Sequence, residues 1–333
     1  MNLTGPLRIL YAALFRPIAS LYLWVGVLFS NRLLRAHWPR ALPTPLSAPD
    51  TISVVTGCNT GIGYDTALAL SRAGSTVVVC CRSKDKAEQT VERLRRAGAS
   101  GRLLPLACEL SSLASVRAAA LELRQRVPHV DFLVLNAGVM NLPTLQLSED
   151  GYEMHFAVNH IGHYLLTRLL IGQVRKAVIV LSSDGHIMGR TDAIDDVNWD
   201  KRGRNTYDGF AAYADSKMAN VLFALECNRQ YPSIRAVAVH PGAVYTDLMR
   251  HTVSDRARSR MEGLLRRLLR SPADGAATTL RAMADCCEKG GDERLALYYR
   301  DAHPSWAVGE DDTAAAAHLW QVTEEMVRPF LDV

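Results

Sequence analysis

A glycine-rich stretch, TGCNTGIG at residues 56–63, limits the possible folds of this chain more than any other part of it. The run TISVVT before it is short and β-branched, and the GYDTALALSRAG stretch has apolar residues at helical spacing. Gly57, Gly61 and Gly63 permit a tight turn, so the amides at the start of the helix can meet a pyrophosphate. A glycine pattern between a strand and a helix predicts a dinucleotide-binding turn.

The alternation of strand and helix patterns continues along the chain. Further strand-like runs are STVVVCC, RLLPLAC, DFLVLNA, KAVIVLS and IRAVAVH; the helical patterns between them are KDKAEQTVERLRRAG, SSLASVRAAALELRQRV, a stretch near residues 148–171 and the AYADSK stretch. Strands that alternate with helices of this length imply a parallel sheet covered on both faces. We therefore predict one α/β domain over residues 51–333, with a Rossmann-type, doubly wound parallel sheet.

The end of the second predicted strand bears on the identity of the dinucleotide. An acidic side chain there would bind the ribose hydroxyls of NAD, whereas an arginine would accept the 2′-phosphate of NADP. The chain has Cys81 where the acid would stand, and Arg82 follows it. The sequence therefore favours NADP(H) over NAD(H); the alternative is an Arg82 that is merely solvated at the start of a loop.

Charge and cysteine content exclude several classes of protein. The net charge of +4 comes from five arginines and no acid in residues 1–49, which leaves 33 basic and 34 acidic side chains in the rest. A nearly neutral body without a zinc-finger or helix-turn-helix pattern argues against a nucleic-acid partner. The seven cysteines form no CxxC pair and have no histidine at metal-ligand spacing, so we expect reduced thiols and no metal site.

The first fifty residues differ from the body. From Ile9 to Ser30 the chain is apolar except for Arg16, which Pro17 follows. A signal anchor, a kinked segment inserted from one leaflet and an organelle-targeting sequence all fit this pattern, and we favour membrane attachment through residues 1–40. The arginines after the apolar run predict that the body faces the cytosol, and the proline-containing residues 41–50 are predicted to be a linker.

Four motifs in this order resemble the short-chain dehydrogenase/reductase family. They are TGCNTGIG, the NAG at 136–138, the serine pair at 182–183, and Tyr213 with Lys217. The resemblance covers about residues 50–300 of the sequence. The narrower patterns NTGIGY, VVCCR, NHIGH and AYADSKMANVLF, followed by VHPGAVYTDL, are similar to the retinol dehydrogenase branch and its membrane-anchored relatives.

The resemblance implies a catalytic set. Tyr213 and Lys217 are four residues apart, so they share one helix face, and a cation beside a phenol lowers the pKa of the phenol. Tyr213 would exchange a proton with the substrate oxygen, and Lys217 would also hold the nicotinamide ribose. Ser183 would hydrogen-bond the substrate oxygen, and a slip of one residue would give that role to Ser182. Asn159 would anchor a water that links Lys217 to solvent, or would bond backbone instead.

The resemblance also implies a set of cofactor contacts at the carboxyl ends of the strands. Besides Tyr213 and Lys217 they are Gly57, Asn59, Thr60, Gly61, Ile62, Gly63, Arg82, Glu109, Leu110, Asn136, Ala137, Gly138, Pro241, Gly242 and Thr246. Two positions depart from the family pattern: Glu109 replaces the usual aspartate, and Thr60 stands where some NADP enzymes carry a basic residue. The 29 residues between Ser183 and Tyr213 form an inserted segment that retinol-dehydrogenase-like members share.

These patterns together imply a membrane-attached, NADP-dependent alcohol dehydrogenase or carbonyl reductase. The resemblance favours a retinoid among lipophilic alcohols, aldehydes and ketones; polyprenols, sterols, fatty aldehydes, a carbon–carbon double-bond reductase and a non-catalytic NADP-binding scaffold stay open. Residues 256–275 would form a substrate lid, and their amphipathic start, RARSRMEGLLRRLLR, also suits a membrane surface. The family pattern suggests a homodimer through the AYADSK helix. We expect the endoplasmic reticulum or lipid droplets as the location, with the mitochondrion as the alternative.

Overall fold

A computed structural model of the chain describes residues 46, 50–246, 263, 269–288, 297–305, 307 and 312–332. The predicted attachment segment at 1–40 and most of the predicted lid at 256–275 lie outside the described residues, so both stay predictions. Within the described ranges, no helix combines the length and the apolar character needed to cross a membrane.

The core of the fold is one eight-stranded sheet. Its strands are β1 (Ile52–Thr56), β2 (Thr76–Cys81), β3 (Leu103–Ala107), β4 (Val130–Leu135), β5 (Val174–Leu181), β6 (Arg235–His240), β7 (Tyr298–Arg300) and β8 (His303–Ser305). The spatial order is β3-β2-β1-β4-β5-β6-β7-β8, and every neighbouring pair is parallel except β7 with β8. This arrangement confirms the predicted doubly wound parallel sheet.

Helices cover both faces of the sheet. They are α1 (Gly61–Arg72), α2 (Lys84–Arg96), α3 (Leu113–Arg126), α4 (Gly162–Leu170), α5 (Gly209–Gln230), α6 (Pro272–Glu288) and α7 (Thr313–Val327). Shorter turns are the α-helical Met154–Phe156, the π-helical Ala157–Ile161, and the 3-10 segments Ile171–Gln173, Asp184–Met188, Thr191–Asp196, Arg204–Thr206 and Arg328–Phe330.

Side-chain alternation along the strands divides the core into two layers. Val54 and Val78 point to the layer that contains α3, α4, α5 and α7. Val55 and Val79 point to the opposite layer, which contains α1, α2 and α6. Because both faces are buried, the strands read as continuous apolar runs, and this is why the six longer strands were predictable from the sequence.

Two features differ from the sequence-based predictions. The helix expected near residue 148 begins only at Met154, because Gly151 adopts a left-handed φ of 82° and Ser148 N–H donates to Tyr152 O at 2.7 Å in a turn. The carboxylate of Glu153 then caps the helix by accepting the Phe156 N–H at 2.9 Å. Strands β7 and β8 were not predicted, because three residues are too few for a periodic pattern.

The strand order reverses between β1 and β4, which lie side by side although they are far apart in sequence. Ligands of doubly wound sheets bind in the crevice that such a reversal opens at the carboxyl ends of the strands. The glycine-rich stretch follows β1 and the NAG motif follows β4, so both lie at this crevice.

Candidate active site

The glycine-rich turn is packed directly against the NAG motif. Gly57 has a left-handed φ of 71°, and a Cβ on it would lie 2.9 Å from Ala137 Cα. A Cβ on Gly63 would lie 2.3 Å from Asn136 Nδ2 and 2.5 Å from Gly57 O. Thr60 precedes α1, and in the described structure its side chain makes no capping hydrogen bond. The turn therefore has room for backbone only and directs the first amides of α1 toward the crevice.

A chain of hydrogen bonds begins at Thr56, the last residue of β1. Its Oγ1 accepts from Asn136 N–H at 2.9 Å and from Ala137 N–H at 3.0 Å, and it lies 2.9 Å from His163 Nε2. Burial lowers the pKa of His163 to about 3, so the ring is neutral. Its Nδ1–H donates to the Asn159 carbonyl at 3.1 Å, which leaves Nε2 to accept from the Thr56 hydroxyl.

Asn159 lies in the π-helical turn and is fully bonded to protein groups. Its Oδ1 accepts from Val139 N–H at 2.8 Å, and its Nδ2 donates to Val139 O at 3.1 Å and to Ser216 Oγ at 2.9 Å. The Ser216 hydroxyl donates in turn to the Tyr213 carbonyl at 2.7 Å. The side chain of Asn159 thus joins the segment after β4 to α5. Of the two roles expected for it, the structure contains the hydrogen bonds to backbone, and the anchoring of a water stays a prediction.

Lys217 is buried in the same cluster. Its side chain is 4% exposed, and its Nζ donates to the Leu181 carbonyl at 2.9 Å, which also accepts from Asn220 Nδ2 at 2.9 Å. Burial lowers the pKa of Lys217 to about 7. A Cβ on Gly138 would lie 3.6 Å from Nζ, so the NAG motif closes one side of the lysine.

Tyr213 lies beside Lys217, whose Nζ is 5.6 Å from the centre of the phenol ring. Burial raises the pKa of Tyr213 to about 12, and the opposing influence is a hydrogen bond with Ser183 rather than the charge of the lysine. The predicted lowering of this pKa by Lys217 is therefore not seen in the described structure. The shared face predicted for Tyr213 and Lys217 is seen.

The two serines after β5 have different partners. Ser182 Oγ donates to the Lys217 carbonyl at 2.8 Å and is buried, so it braces α5. Ser183 Oγ accepts from Gly185 N–H at 3.1 Å and bonds Tyr213. The hydroxyl beside the phenol thus belongs to Ser183.

Sequence reasoning missed the side chains that anchor this serine. Asp184 N–H donates to His240 Nδ1 at 3.2 Å, and the Asp184 carboxylate lies 3.4 Å from His240 Nε2. The same carboxylate accepts from Tyr298 Oη–H at 3.2 Å and pairs with Arg300 at 3.1 Å. These contacts tie the residue after Ser183 to the ends of β6 and β7. The only sequence signal was an aspartate directly after the serine pair.

The predicted cofactor contacts Arg82, Glu109 and Leu110 lie after the ends of β2 and β3. Cys81 is buried and Arg82 is exposed; no hydrogen bond or ion pair joins Arg82 to another residue of the described part. The Glu109 carboxylate accepts from Ser111 N–H at 3.3 Å and from Ser111 Oγ at 3.0 Å, so it is turned onto its own loop. Leu110 is buried.

The other predicted contacts lie on the glycine turn and after β6. The Asn59 carbonyl accepts a hydrogen bond from the Arg93 guanidinium at 2.8 Å. Ile62 packs against α6, since a Cβ on Gly275 would lie 3.1 Å from Ile62 Cγ1. Pro241 is buried, Gly242 has a φ of 86°, and a Cβ on Gly61 would lie 3.2 Å from Thr246 Cγ2. No cluster of potential metal ligands occurs among the residues that the structure describes.

A doubly wound sheet with a glycine turn at its strand reversal, beside a buried tyrosine and lysine and a half-buried serine, defines a nicotinamide-dependent oxidoreductase. Residues 51–192 match the family model described as short chain dehydrogenase. The chain belongs to the short-chain dehydrogenase/reductase family. The resemblance found in the sequence is confirmed.

The comparisons also identify individual relatives. Human retinol dehydrogenase 13 is 40% identical over 218 residues, which cover 64% of this chain and 64% of that protein, slightly less than two thirds of its length. Human retinol dehydrogenase 11 is 32% identical over 287 residues, or 84% of this chain and 86% of that protein. A crystal structure of a putative uncharacterized protein from Mycobacterium paratuberculosis superposes with a TM-score of 0.64 at 29% identity and covers 84% of this chain and 93% of that one.

Proposed function

We propose that the protein is an NADP(H)-dependent oxidoreductase that interconverts a lipophilic alcohol and its aldehyde or ketone. The observation that carries the proposal is the Tyr213 phenol at the crevice beside the glycine turn, hydrogen-bonded to Ser183 and with Lys217 Nζ 5.6 Å from the centre of its ring. In the direction of reduction, Tyr213 donates its proton to the carbonyl oxygen of the substrate. Ser183 donates a hydrogen bond to the same oxygen, where negative charge develops.

The residues at the crevice fit a nicotinamide dinucleotide. Gly57 and Gly63 leave no space for a Cβ, and the start of α1 is free of a side-chain cap in the described structure, as close approach of a pyrophosphate requires. When bound, the dinucleotide supplies or accepts the hydride. Lys217 would hold its ribose, and Asn136, Ala137 and Gly138, after the end of β4, would contact the dinucleotide.

The pKa of Lys217 suits proton supply. A buried lysine with a pKa of about 7 gains and loses a proton near neutrality, whereas an ordinary lysine stays protonated. We propose that Lys217, whose Nζ lies 5.6 Å from the centre of the phenol ring, returns a proton toward Tyr213 after each reduction. The Asn159–Ser216 hydrogen bonds fix the helix that carries both residues.

Two observations favour NADP(H) and an apolar substrate. Arg82 is exposed directly after β2, where a 2′-phosphate would lie, and Cys81 supplies no carboxylate. Among the described residues the exposed large hydrophobic side chains are Leu147 and Ile187. Ile187 is four residues after Ser183, and Leu147 forms an isolated bridge with Glu153. Relatives named retinol dehydrogenase support a retinoid as the favoured substrate, with polyprenols, sterols and fatty aldehydes as alternatives.

We further propose the arrangement of the chain at a membrane. Residues 1–40 attach it, residues 41–50 form a linker, and residues 51–333 form the catalytic domain with a lid at 256–275. The arginine distribution in residues 1–49 supports a domain that faces the cytosol at the endoplasmic reticulum or a lipid droplet, with the mitochondrion as the alternative.

Consumption of NADPH and of NADH by the detergent-solubilised protein tests the proposal. The substrates offered are retinal, a polyprenal, a steroid ketone and a long-chain aldehyde. We expect turnover with NADPH, and we expect Tyr213→Phe to lose at least about a thousandfold in kcat while it still binds NADPH, because the proton donor alone is removed. Tight NADPH binding without any turnover would favour the non-catalytic scaffold.

A further inference from the structure

Three polar side chains outside the predicted catalytic set meet beside Tyr213, two of them buried and the third, a tyrosine, half-buried. They are Glu153, His155 and Tyr207. Glu153 Oε1 accepts from His155 Nδ1–H at 2.6 Å and from Tyr207 Oη–H at 2.7 Å. Glu153 is 1% exposed and His155 is fully buried, so this is an interior polar cluster rather than a surface pair.

The cluster is hydrogen-bonded throughout. Glu153 Oε2 caps the following turn by accepting the Phe156 N–H at 2.9 Å, and His155 Nε2 accepts the Leu142 N–H at 3.3 Å. The second bond fixes the tautomer in which Nδ1 carries the hydrogen. Burial acts to raise the pKa of Glu153, but the hydrogen bond from His155 and the other donors hold it below its ordinary value. A charged carboxylate can be buried here because each of its oxygens is bonded.

The cluster also supports the helix of Tyr213. The His155 ring lies edge-on to the Tyr213 ring, with centroids 6.4 Å apart and planes at 71°. Leu142, which binds His155, also contacts the start of α5, since a Cβ on Gly209 would lie 2.1 Å from the Leu142 carbonyl oxygen. The phenol ring and the first turn of its helix therefore rest against the same group of residues.

The third member connects the cluster to the inserted segment between Ser183 and Tyr213. The Tyr207 ring packs edge-on against Trp199 at 5.1 Å, and the Arg202 guanidinium lies 4.0 Å from the Trp199 ring. Arg202 pairs with Asp215 at 2.7 Å, two residues after Tyr213 on α5. The segment is thus joined to the body on one side by Tyr207 and on the other by Arg202.

We propose that Glu153 is a positioning residue for Tyr213: it fixes His155 against the phenol ring and anchors the inserted segment through Tyr207. The role concerns the proton donor, so it rests on the function proposed above. None of the three side chains is required to touch the substrate. Their effect is to hold the Tyr213 hydroxyl at one position relative to Ser183.

Tyr207→Phe tests the proposal, because it removes one hydrogen bond and keeps the ring. Loss of a hydrogen bond to a charged group is expected to speed amide hydrogen exchange over residues 196–216 about tenfold. We expect kcat to fall about tenfold through misplacement of the phenol, while the Kd for NADPH stays within about twofold. Glu153→Gln should show the same pattern more strongly, because one amide oxygen replaces a carboxylate that serves three donors.

Tyr152→Phe is the matched control. Its hydroxyl donates to the Met326 carbonyl at 3.4 Å, away from Tyr213, so the variant should keep the kcat of the wild type and its exchange over residues 196–216. If Tyr207→Phe leaves amide hydrogen exchange over residues 196–216 unchanged, the inference is overturned, whether or not the wild type turns over a substrate. Unchanged kcat in an active enzyme would overturn it as well. Full activity in Tyr213→Phe would instead contradict the proposed function.

Discussion

Burial acts in opposite directions on the two side chains that meet at the crevice. It raises the pKa of Tyr213 to about 12 and lowers that of Lys217 to about 7, because in each case the neutral form is favoured away from water. The isolated protein therefore keeps the phenol protonated, which suits a proton donor. Ser183 is the neighbour that lowers the phenol pKa.

The buried lysine predicts a pH-dependent stability. From pH 10.5, the ordinary pKa of lysine, down to about pH 7, the unfolded chain binds a proton at Lys217 that the folded chain does not. The free energy of unfolding therefore falls as the pH falls through this window, by up to about 1.4 kcal/mol per pH unit, and this contribution is constant below it. Urea unfolding at pH 7.5 and pH 9.5 measures the effect. The free energy of unfolding should differ less between these two pH values in Lys217→Met than in the wild type. Lys84→Met, at an exposed position, is the control; equal differences in all three would contradict the prediction.

The proposed preference for NADP(H) depends on a single side chain, Arg82. We expect Arg82→Ala to lower kcat/KM for NADPH about ten- to a hundredfold and to leave the value for NADH nearly unchanged, because a charge-assisted contact to the 2′-phosphate is lost. Arg95→Ala, on the exposed face of α2, should change neither value. Steady-state kinetics with NADPH and with NADH measures both values. An equal loss of kcat/KM for the two cofactors would show that Arg82 does not discriminate between them.

Among elements, the turn between β1 and α1 tolerates little added volume. The Gly63 position is closed by Asn136 Nδ2 and the Gly57 carbonyl, and Asn136 Nδ2 donates to the Thr56 carbonyl at 2.7 Å. An added methyl group has to break this bond or shift the turn. The geometry of the crevice is thus set by contacts between two segments that follow different strands.

Gly63→Ala should therefore lower both stability and cofactor affinity. We expect a loss of about 1–3 kcal/mol in the free energy of unfolding and at least about tenfold weaker NADPH binding. Gly172→Ala is the control, because no atom lies within 4 Å of the Cβ it would add, and it should change stability by less than about 0.5 kcal/mol. Calorimetry and fluorescence titration measure both quantities. Normal NADPH affinity in Gly63→Ala would count against the turn as the pyrophosphate site.

The elements also show what could be predicted from the sequence. Six strands were recognisable as buried apolar runs, and the four residues Asn159, Ser183, Tyr213 and Lys217 were recognisable as motifs; the structure brings these four together. The Thr56–His163 hydrogen bond joins residues that are 107 positions apart in the sequence. The hydrogen bonds of the Glu153 cluster join residues up to 54 positions apart. Such contacts depend on how elements pack, and no local pattern of residue types predicts them.

For the molecule as a whole, α7 covers the helices next to the site. Trp320 stacks on Phe223 of α5 with ring centres 5.9 Å apart, and it packs on Tyr164 of α4 at 4.9 Å. Glu324 pairs with Arg168 at 2.6 Å. In consequence α5, the helix of Tyr213, is buried on all sides along most of its length. The homodimer expected through the AYADSK helix would require α7 to leave this position.

We expect α5 to take no part in self-association while α7 is in place. Trp320→Ala should lower the free energy of unfolding by about 3 kcal/mol and promote association, because it uncovers Phe223 and Tyr164. Urea unfolding and light scattering of the solubilised protein measure the two effects. Gln321→Ala, on the exposed side of α7, should leave both unchanged. A wild-type dimer whose subunits cross-link through α5 would contradict the prediction.

The position of α7 has a consequence for biosynthesis. Ribosomes make the helices that carry Asn159 and Tyr213 before they make α7, so the aromatic surface of Phe223 and Tyr164 is exposed on the nascent chain until residues 313–327 emerge. A stop codon before residue 313 leaves every predicted catalytic residue in the product and still removes this cover. Such a product should be recognised by chaperones and degraded, so that loss of activity in cells would reflect low abundance rather than a missing catalytic group.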